Sequence, residues 1–260
     1  MGRLQDKVAI VTGSGRGIGK AIARRFGEEG AKVVVASRTP ATVESVSREI
    51  RDAGGTALGI PCDVSVKEQV FDMVDRTVKE FGTVDVLVNN AQGFGTREKP
   101  QPSTVYVAVE DTNDDEVYYT FTSGCMAMLW GMNAVLPHMK KNGGGNIINF
   151  ASTAGMEGQP GNLSYNIAKE SIRALTRTAA REWGVHNILI NTICPSLKTD
   201  AFEAWEAARP EFVRAIRESI PLKRHGDPYK DGTPICLFLA TENTYITGLT
   251  FILNGGRIMP

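Results

Sequence analysis

Residues that mark metal-binding and disulfide-stabilised proteins are scarce in this sequence. The 260 residues include only three histidines and four cysteines, and the cysteines form no CxxC pair. Their wide spacing excludes a recognisable disulfide framework and gives no sign of a metal site. Cys62, Cys125, Cys194 and Cys236 are therefore predicted to be buried free thiols, and no metal is expected.

The sequence also lacks a charge imbalance and a long apolar run. Basic and acidic residues are equal in number, 29 of each, so no net field attracts nucleic acid or an acidic membrane. No segment reaches membrane-spanning length, and the start, MGRLQDK, lacks the basic and apolar regions of a signal peptide. These absences favour a small-molecule partner and a cytoplasmic location.

What is present is an alternation of short apolar runs with amphipathic stretches. Buried parallel strands are predicted at VAIVTG, KVVVAS, ALGIPCDV, VDVLVNNA, GNIINFAS, ILINTICP and LTFILNGG. Helices between them place apolar residues at steps of three and four. The pattern predicts an α/β fold, a Rossmann-like doubly wound parallel sheet with helices on both faces. No repeat or linker divides the chain, so residues 1–260 are expected to form one domain.

Two segments interrupt this alternation. Residues 93–115 are rich in polar and turn residues, and residues 198–228 show the pattern of short helices and loop. Both follow strand ends, where ligands bind in open α/β sheets. We therefore expect both segments to cover a substrate.

A glycine-rich turn follows the first predicted strand. It consists of Gly13, Ser14, Gly15, Arg16, Gly17, Ile18 and Gly19 and leads directly into a helix. Glycines let the backbone approach a pyrophosphate at the positive end of a helix. The spacing GxxxGxG differs from the usual GxGxxG, so the turn alone is equally consistent with a plain tight connection. Its place between a first strand and a first helix favours nucleotide binding.

The end of the second predicted strand indicates which nucleotide is bound. An acidic residue there would bind a ribose 2′-hydroxyl, but this chain has Ser37 and Arg38. A guanidinium forms charge-assisted hydrogen bonds with a 2′-phosphate, which a carboxylate would repel. NADP(H) is thus predicted in preference to NAD(H). In the alternative reading, Arg38 begins a solvated helix and Arg16 is an exposed turn residue.

Tyr165, Lys169 and Ser152 are the candidate catalytic residues. Tyr165 and Lys169 stand four residues apart in LSYNIAKES, so they share one face of a helix. A nearby ammonium is expected to lower the pKa of the phenol, and a Ser152 hydroxyl can hold a substrate oxygen. Alone, such a pair is more often a packed tyrosine with a surface lysine.

Several motifs occur together in one order: TGSGRGIG, CDV, NNA, Ser152 and YNIAK. By these motifs the whole chain resembles the classical branch of the short-chain dehydrogenase/reductase family. The resemblance implies that Gly13, Gly17 and Gly19 line a dinucleotide, that Asp63 and Val64 border its adenine, and that Asn90 lies beneath the ribose nearer the nicotinamide. Lys169 would also contact that ribose, Tyr165 would exchange a proton with the substrate, and Ser152 would orient the substrate oxygen. A homo-oligomer, tetramer or dimer, is likewise implied.

The chain departs from the family pattern near the implied active site. Gly124 stands where most members have an asparagine that positions a water connecting the lysine to solvent. Gln92 replaces the glycine of NNAG, and Ser196 replaces the glycine of a PG pair. Ser196 begins a shortened run, from which Leu197 and Thr199 are assigned to the nicotinamide end. Weakened or altered chemistry is one consequence to be tested.

The substrate wall is predicted from side chains in and near the covering segments. The candidates are Gln92, Phe94, Met156, Phe202 and Trp205. They suggest a medium-sized apolar, cyclic or aromatic alcohol or ketone, although each aromatic is equally consistent with simple packing and Trp205 with a subunit contact.

The expected function is an NADP(H)-dependent oxidoreductase that interconverts a secondary alcohol and a ketone, with Tyr165 as acid and base. Two alternatives stay open. One is an NADP-binding sensor or scaffold with little turnover, suggested by Gly124. The other is an epimerase or lyase on the same fold.

Overall fold

The structure is a computed structural model, and it describes residues 2–199, 202–203, 206 and 210–259. The position of Trp205, one of the predicted substrate residues, lies outside this range. Among the residues described, no helix is both long and apolar enough to cross a membrane.

Seven parallel strands form the central sheet, in the order β3-β2-β1-β4-β7-β8-β9. Their bounds are β1 Val8–Thr12, β2 Lys32–Ser37, β3 Thr56–Pro61, β4 Val86–Asn89, β7 Gly145–Phe150, β8 Ile188–Pro195 and β9 Thr250–Leu253. Two short strands, β5 Phe94–Gly95 and β6 Pro100–Gln101, form a separate antiparallel pair. All seven strands predicted from apolar runs are present. The predicted doubly wound sheet is therefore confirmed.

Helices cover both faces of the sheet. They are α1 Gly17–Glu28, α2 Pro40–Asp52, α3 Lys67–Phe81, α4 Asp114–Phe121, α5 Ala127–Lys141, α6 Thr153–Glu157, α7 Leu163–Trp183, α8 Pro210–Ser219 and α9 Thr233–Thr241. One apolar core includes Phe26 of α1 and Leu237 of α9, and another includes Met73 of α3 and Met132 of α5. Burial of these two apolar faces holds the layers together.

The strand order reverses direction between β1 and β4. β1 pairs with β2 on one side and with β4 on the other, so the connections on the two sides run away from each other. In an open α/β sheet, this switch point leaves a crevice at the carboxyl ends of the strands. The Thr12 hydroxyl at the end of β1 accepts the Asn90 N–H at 3.0 Å, which joins the two strand ends.

A π-helical turn, Thr122–Met126, connects α4 to α5. Such a turn inserts an extra residue into the helical repeat and often marks a functional site. Asn113 caps the start of α4 by accepting the Asp115 N–H at 2.7 Å. The helical run thus begins beside segment 93–115 and passes the switch point at the π turn.

Segment 93–115 has a defined structure. It contains the β5–β6 pair and a 3₁₀ turn at Val109–Asp111. The Val107 N–H donates to the Gly161 carbonyl at 3.0 Å, so the segment is fastened to the loop before α7. Segment 198–228 contains α8 and helical residues at positions 202–203 and 206.

Candidate active site

A cavity of about 320 Å³ lies at the switch point. The residues of its lining come from the ends of β1, β2, β3 and β4 and from the segments that follow them. They include Gly13, Arg16, Gly17, Ile18, Ser37, Arg38, Asp63, Val64, Asn90, Gln92, Phe94, Tyr165 and Thr199. The cavity therefore brings most of the predicted cofactor residues together with the predicted catalytic tyrosine.

The glycine-rich turn forms one wall of this cavity and requires glycine at two positions. Gly13 has a φ of +67° and Gly17 a φ of +56°, both in the left-handed region. A Cβ on Gly13 would lie 2.8 Å from Nδ2 of Asn90. α1 begins at Gly17, so its free N–H groups face the turn. The close backbone approach and the helix N-terminus fit the pyrophosphate of a dinucleotide.

Three other residues of the turn, Ser14, Gly15 and Gly19, pack against the neighbouring backbone and side chains and are not among the residues that line the cavity. Ser14 is fully buried, and its hydroxyl donates to the Val11 carbonyl at 2.7 Å and accepts the Ala36 N–H at 2.9 Å. A Cβ on Gly19 would lie 2.5 Å from the Gly13 carbonyl oxygen, and one on Gly15 would lie 2.5 Å from the Thr42 hydroxyl. Close packing sets the identity of Ser14, Gly15 and Gly19, and contact of these residues with a cofactor stays a prediction.

Asn90 ties β4 to the glycine-rich turn. Its Nδ2 donates to the Thr12 carbonyl at 3.0 Å and to the Gly13 carbonyl at 3.3 Å. Both contacts are with the backbone that forms the cavity wall. Asn90 is therefore placed to hold the turn as well as to contact a ligand.

Arg38 and Arg16 provide positive charge at the cavity. Both side chains are exposed, and neither forms an ion pair with any described residue. Arg38 Nη1 donates to the Tyr119 hydroxyl at 2.9 Å, and both residues line the cavity. Asp63, which follows β3, instead uses Oδ1 to accept from the N–H and hydroxyl of Ser65. Both guanidinium groups lack a carboxylate partner among the described residues and are therefore available to an anionic ligand.

The predicted catalytic residues converge beside the same cavity. Lys169 is 3% exposed, and its Nζ donates to the Phe150 carbonyl at 2.8 Å and lies 5.5 Å from the ring centroid of Tyr165. Ser152 lies two residues beyond the end of β7 and caps α6 by accepting the Ala154 N–H at 3.2 Å. It also forms a hydrogen bond with Tyr165. The tyrosine thus has a hydroxyl partner and a buried cation as neighbours.

Burial shifts the acid–base properties of this pair. It raises the pKa of Tyr165 to about 12, while the hydrogen bond with Ser152 acts in the opposite direction. Burial also lowers the pKa of Lys169 to about 8. The expectation that the tyrosine pKa is lowered is not met, because removal of the phenol from water is the largest effect on it.

The two departures Gln92 and Gly124 meet in space. Gly124 is buried in the π turn, and a Cβ on it would lie 2.7 Å from Oε1 of Gln92. The Gln92 amide nitrogen donates to the Gly93 and Thr120 carbonyls, each at 2.9 Å. The side chain at position 92 therefore fills the space next to position 124.

The predicted substrate residues are only partly brought together. Gln92 and Phe94 line the cavity, and the Phe94 ring centroid is 5.6 Å from that of Tyr165 with an interplanar angle of 42°. Met156 instead packs against an apolar cluster around Cys125, and the Phe202 ring lies 4.3 Å from the His225 ring.

Of the two residues assigned to the nicotinamide end, only Thr199 lines the cavity. Leu197 is buried and forms a bridge with Gly226. Its side chain packs between Gly226 and Gly232, and its contact with the nicotinamide end stays a prediction.

Part of the cavity lining was not predicted from the sequence. Tyr119 and Ser123 line the cavity, and so do Cys62, Ala91 and Gly93. Tyr119 and Ser123 are four residues apart, which places them on one face of the α4 and π-turn run. That spacing was the available signal, but nothing in the sequence indicates that this face turns toward the switch point.

All four cysteines are buried and free, as predicted. Burial raises the pKa of each thiol. Among the described residues, no group of three or more histidine, cysteine or acidic side chains is arranged to hold a metal ion.

Comparison with known proteins identifies the family of this chain. The family model described as short chain dehydrogenase matches residues 7–210. The chain belongs to the short-chain dehydrogenase/reductase family. It is 35% identical to a 12α-hydroxysteroid dehydrogenase of a Clostridium species, over 98% of each chain. It is 34% identical to glucose 1-dehydrogenase 2 of Bacillus subtilis, over 98% of this chain and 96% of that protein.

A solved structure with the same architecture is that of a 7α-hydroxysteroid dehydrogenase complexed with NADH and 7-oxo glycochenodeoxycholic acid. It superposes with a TM-score of 0.90 at 30% identity and covers 99% of this chain and 96% of that one. The family membership predicted from the motifs is therefore confirmed. This member of the short-chain dehydrogenase/reductase family is an oxidoreductase that acts on hydroxyl or keto groups.

Proposed function

We propose that this short-chain dehydrogenase/reductase uses NADP(H) to interconvert a medium-sized apolar, cyclic secondary alcohol and its ketone. The observation that carries the proposal is the convergence of Tyr165, Lys169 and Ser152 on a cavity that also contains the glycine-rich turn. Proton exchange at Tyr165 and dinucleotide binding at Gly13 and Gly17 then take place in one cavity.

Tyr165 donates a proton to the ketone oxygen in the reduction and accepts it from the alcohol in the oxidation, while a bound nicotinamide cofactor would supply or accept the hydride. A phenol whose pKa is about 12 is protonated at neutral pH, so Tyr165 can donate a proton to a ketone oxygen. The Ser152 hydroxyl is placed to share the negative charge that develops on that oxygen. Lys169 holds positive charge beside the tyrosine ring.

The preference for NADP(H) rests on the charges at the end of β2. Arg38 follows the strand directly, Arg16 lies in the glycine-rich turn, and both line the cavity. Neither is neutralised by a carboxylate among the described residues. A 2′-phosphate would receive charge-assisted hydrogen bonds from these groups.

The substrate class rests on Phe94 and on the covering segments 93–115 and 198–228. Phe94 places an aromatic ring beside Tyr165, which favours an apolar or cyclic compound. Two relatives are hydroxysteroid dehydrogenases by name, and a hydroxysteroid is a cyclic secondary alcohol. A homo-oligomer is also part of the proposal, as the family resemblance implies.

The alternative of a cofactor-binding protein with little turnover was suggested by the glycine at position 124. The Gln92 amide occupies the space beside Gly124, so the site is not simply vacated. This weakens the alternative. No contact among the described residues favours an epimerase or a lyase over an oxidoreductase.

Tyr165→Phe tests the proposal. We expect turnover of a panel of cyclic ketones with NADPH to fall by about 1,000-fold, because the proton donor is lost. The dissociation constant for NADPH, followed by nicotinamide fluorescence, should stay unchanged. Tyr118→Phe is the matched control, since Tyr118 is 68% exposed on α4.

Full activity of the Phe variant across the panel would show that Tyr165 is not the acid and base. Tight binding of NADPH by the wild-type protein without any hydride transfer would support the binding-protein alternative instead.

A further inference from the structure

Gln92 and Gly124 are far apart in the sequence but form one contact in the fold. A Cβ at position 124 would lie 2.7 Å from the Gln92 Oε1 atom, 3.2 Å from Nε2 and 3.3 Å from Cδ. Any side chain at position 124 would have to displace this amide. The two departures from the family pattern are therefore mutually dependent: glycine at one position makes room for glutamine at the other.

Hydrogen bonds fix the orientation of the Gln92 amide. Nε2 donates to the Gly93 and Thr120 carbonyl oxygens, both at 2.9 Å. A flipped amide would place its oxygen against these two acceptors, which is unfavourable. Oε1 is consequently directed at Gly124, where it is buried and has no hydrogen-bond partner among the described residues. A buried acceptor that lacks a hydrogen bond is destabilising, so a donor that reaches this oxygen is bound favourably.

The π turn connects this amide to the surroundings of Lys169. Gly124 is followed by Cys125, whose thiol is close enough to Lys169 for the ammonium charge to lower its pKa against the larger effect of burial. Cys125 also packs in one cluster with Ile172 of α7. The amide of Gln92 thus sits on the turn that adjoins the helix carrying the lysine.

Lys169 needs a path for protons because it is buried. Its ammonium group has three N–H donors, and the Phe150 carbonyl accepts one of them. A buried lysine that restores the proton of a neighbouring tyrosine must itself exchange protons with solvent through hydrogen-bonded groups or waters. The polar groups of the cavity wall near the π turn determine where such a path can run.

We propose that Gln92 is a positioning residue for proton transfer and supplies, from the end of β4, the amide that most family members supply from position 124. Its Oε1 accepts a hydrogen bond from a water on the route between Lys169 and solvent. Its Nε2 anchors the amide to the Gly93 and Thr120 carbonyls. This inference rests on the proposed oxidoreductase function of the same site.

The test is a double-mutant cycle with Gln92→Gly, Gly124→Asn and the double variant. We expect each single variant to lower kcat by about tenfold or more, since one loses the amide and the other displaces it. The double variant, which restores the family pair, should recover to within about threefold of wild type. Losses that simply multiply in the double variant would overturn the proposal.

Gln92→Met distinguishes the hydrogen bonding of the Gln92 amide from the space that its side chain fills. The thioether chain fills the same space but offers no comparable hydrogen bond, so we expect a lower kcat and a shifted pH profile of kcat with unchanged NADPH affinity. Wild-type kcat and pH profile in this variant would show that Gln92 only fills space. Gly184→Asn is the control for the glycine substitution, because a Cβ there meets nothing within 4 Å.

Failure of the proposed function can be distinguished from failure of the Gln92–Gly124 pairing. If the wild-type protein turned over no carbonyl compound, the oxidoreductase proposal and the proton role would both be wrong. The melting temperatures of the four proteins would still show whether positions 92 and 124 are coupled: recovery in the double variant supports the pairing, and additive losses overturn it.

Discussion

The two walls of the cavity are built in different ways. The sheet wall consists of the strand ends and α7, and its polar groups are held by backbone contacts: Asn90 binds the Thr12 and Gly13 carbonyls, and Lys169 binds the Phe150 carbonyl. The loop wall consists of segment 93–115, α4 and the π turn. Backbone contacts such as Val107 to Gly161 hold it in place, but it faces the cavity with side-chain contacts, such as the Phe94 and Tyr165 rings and the Arg38–Tyr119 hydrogen bond.

This difference shows where binding chemistry is rigid and where it is adjustable. Parallel strands with fixed register place their carboxyl ends at one edge, so groups attached there keep their positions when loops change. Side-chain contacts in a loop tolerate substitution more readily. We therefore expect changes in the sheet wall to alter turnover and cofactor affinity strongly, and changes in segment 93–115 of the loop wall to alter substrate affinity modestly.

Lys169→Met is expected to have the largest effect after Tyr165→Phe. Turnover should fall by about 100-fold or more, because the charge beside Tyr165 is lost. The variant should also change how stability depends on pH. Burial lowers the pKa of Lys169 from 10.5 to about 8, so the unfolded chain binds more protons between these values and wild-type stability rises with pH in that window.

The penalty of burying the charged lysine is about 3 kcal/mol, present in full below pH 8 and absent above pH 10.5. The variant lacks this contribution. Its stability relative to wild type should therefore be highest below pH 8 and decline as pH rises. Urea unfolding at several pH values measures this difference, with Lys140→Met on the exposed side of α5 as control. A difference independent of pH would contradict the prediction.

Arg38→Asp changes the group that spans both walls. We expect the NADPH dissociation constant to rise by about 10- to 100-fold, since charge-assisted hydrogen bonds to the phosphate are replaced by repulsion. NADH binding should be retained or improved, because a carboxylate can accept from the ribose 2′-hydroxyl. Fluorescence titration with the two cofactors measures the preference.

The matched control for this change is Arg48→Asp. It alters the net charge equally but lies on α2, where Arg48 faces Glu44 at 3.7 Å. An equal loss of NADPH affinity in both variants would indicate a general charge effect and remove Arg38 as the 2′-phosphate contact.

The sheet wall could be predicted from sequence, whereas the loop wall could not. Apolar runs gave all seven strands of the sheet, and strand ends in a parallel sheet meet by geometry, so Gly13, Arg38 and Asn90 were placed correctly at the cavity. The sequence also marked both Gln92 and Gly124 as departures. Their contact depends on how the π turn packs against the end of β4, which no spacing reveals.

The direction of the pKa shift of Tyr165 could not be predicted from residue spacing either. The four-residue step between Tyr165 and Lys169 indicated their proximity, but the direction of the tyrosine pKa shift depends on burial by the surrounding fold. The positions of Met156 and Leu197 also depend on how the fold packs. Their apolar side chains fit either a substrate wall or the core, and the structure uses them for packing.

Phe94→Ala is expected to have the smallest effect, and it tests the loop wall alone. The Phe94 ring contacts Tyr165 from β5, and such an aromatic pair contributes about 0.5–1.5 kcal/mol beyond its buried area. We expect the KM for a cyclic ketone to rise by about two- to tenfold, with an unchanged dissociation constant for NADPH. Val109→Ala, in the same segment and 66% exposed, serves as the control.

Comparing the change in KM with the change in NADPH dissociation constant in Phe94→Ala shows which ligand the loop wall contacts. A larger KM with constant NADPH affinity means that the segment contacts substrate and leaves the cofactor to the sheet wall. A loss of NADPH affinity as large as the change in KM would mean that the two walls are not separate in function, and the division drawn between rigid and adjustable sides of the cavity would be wrong.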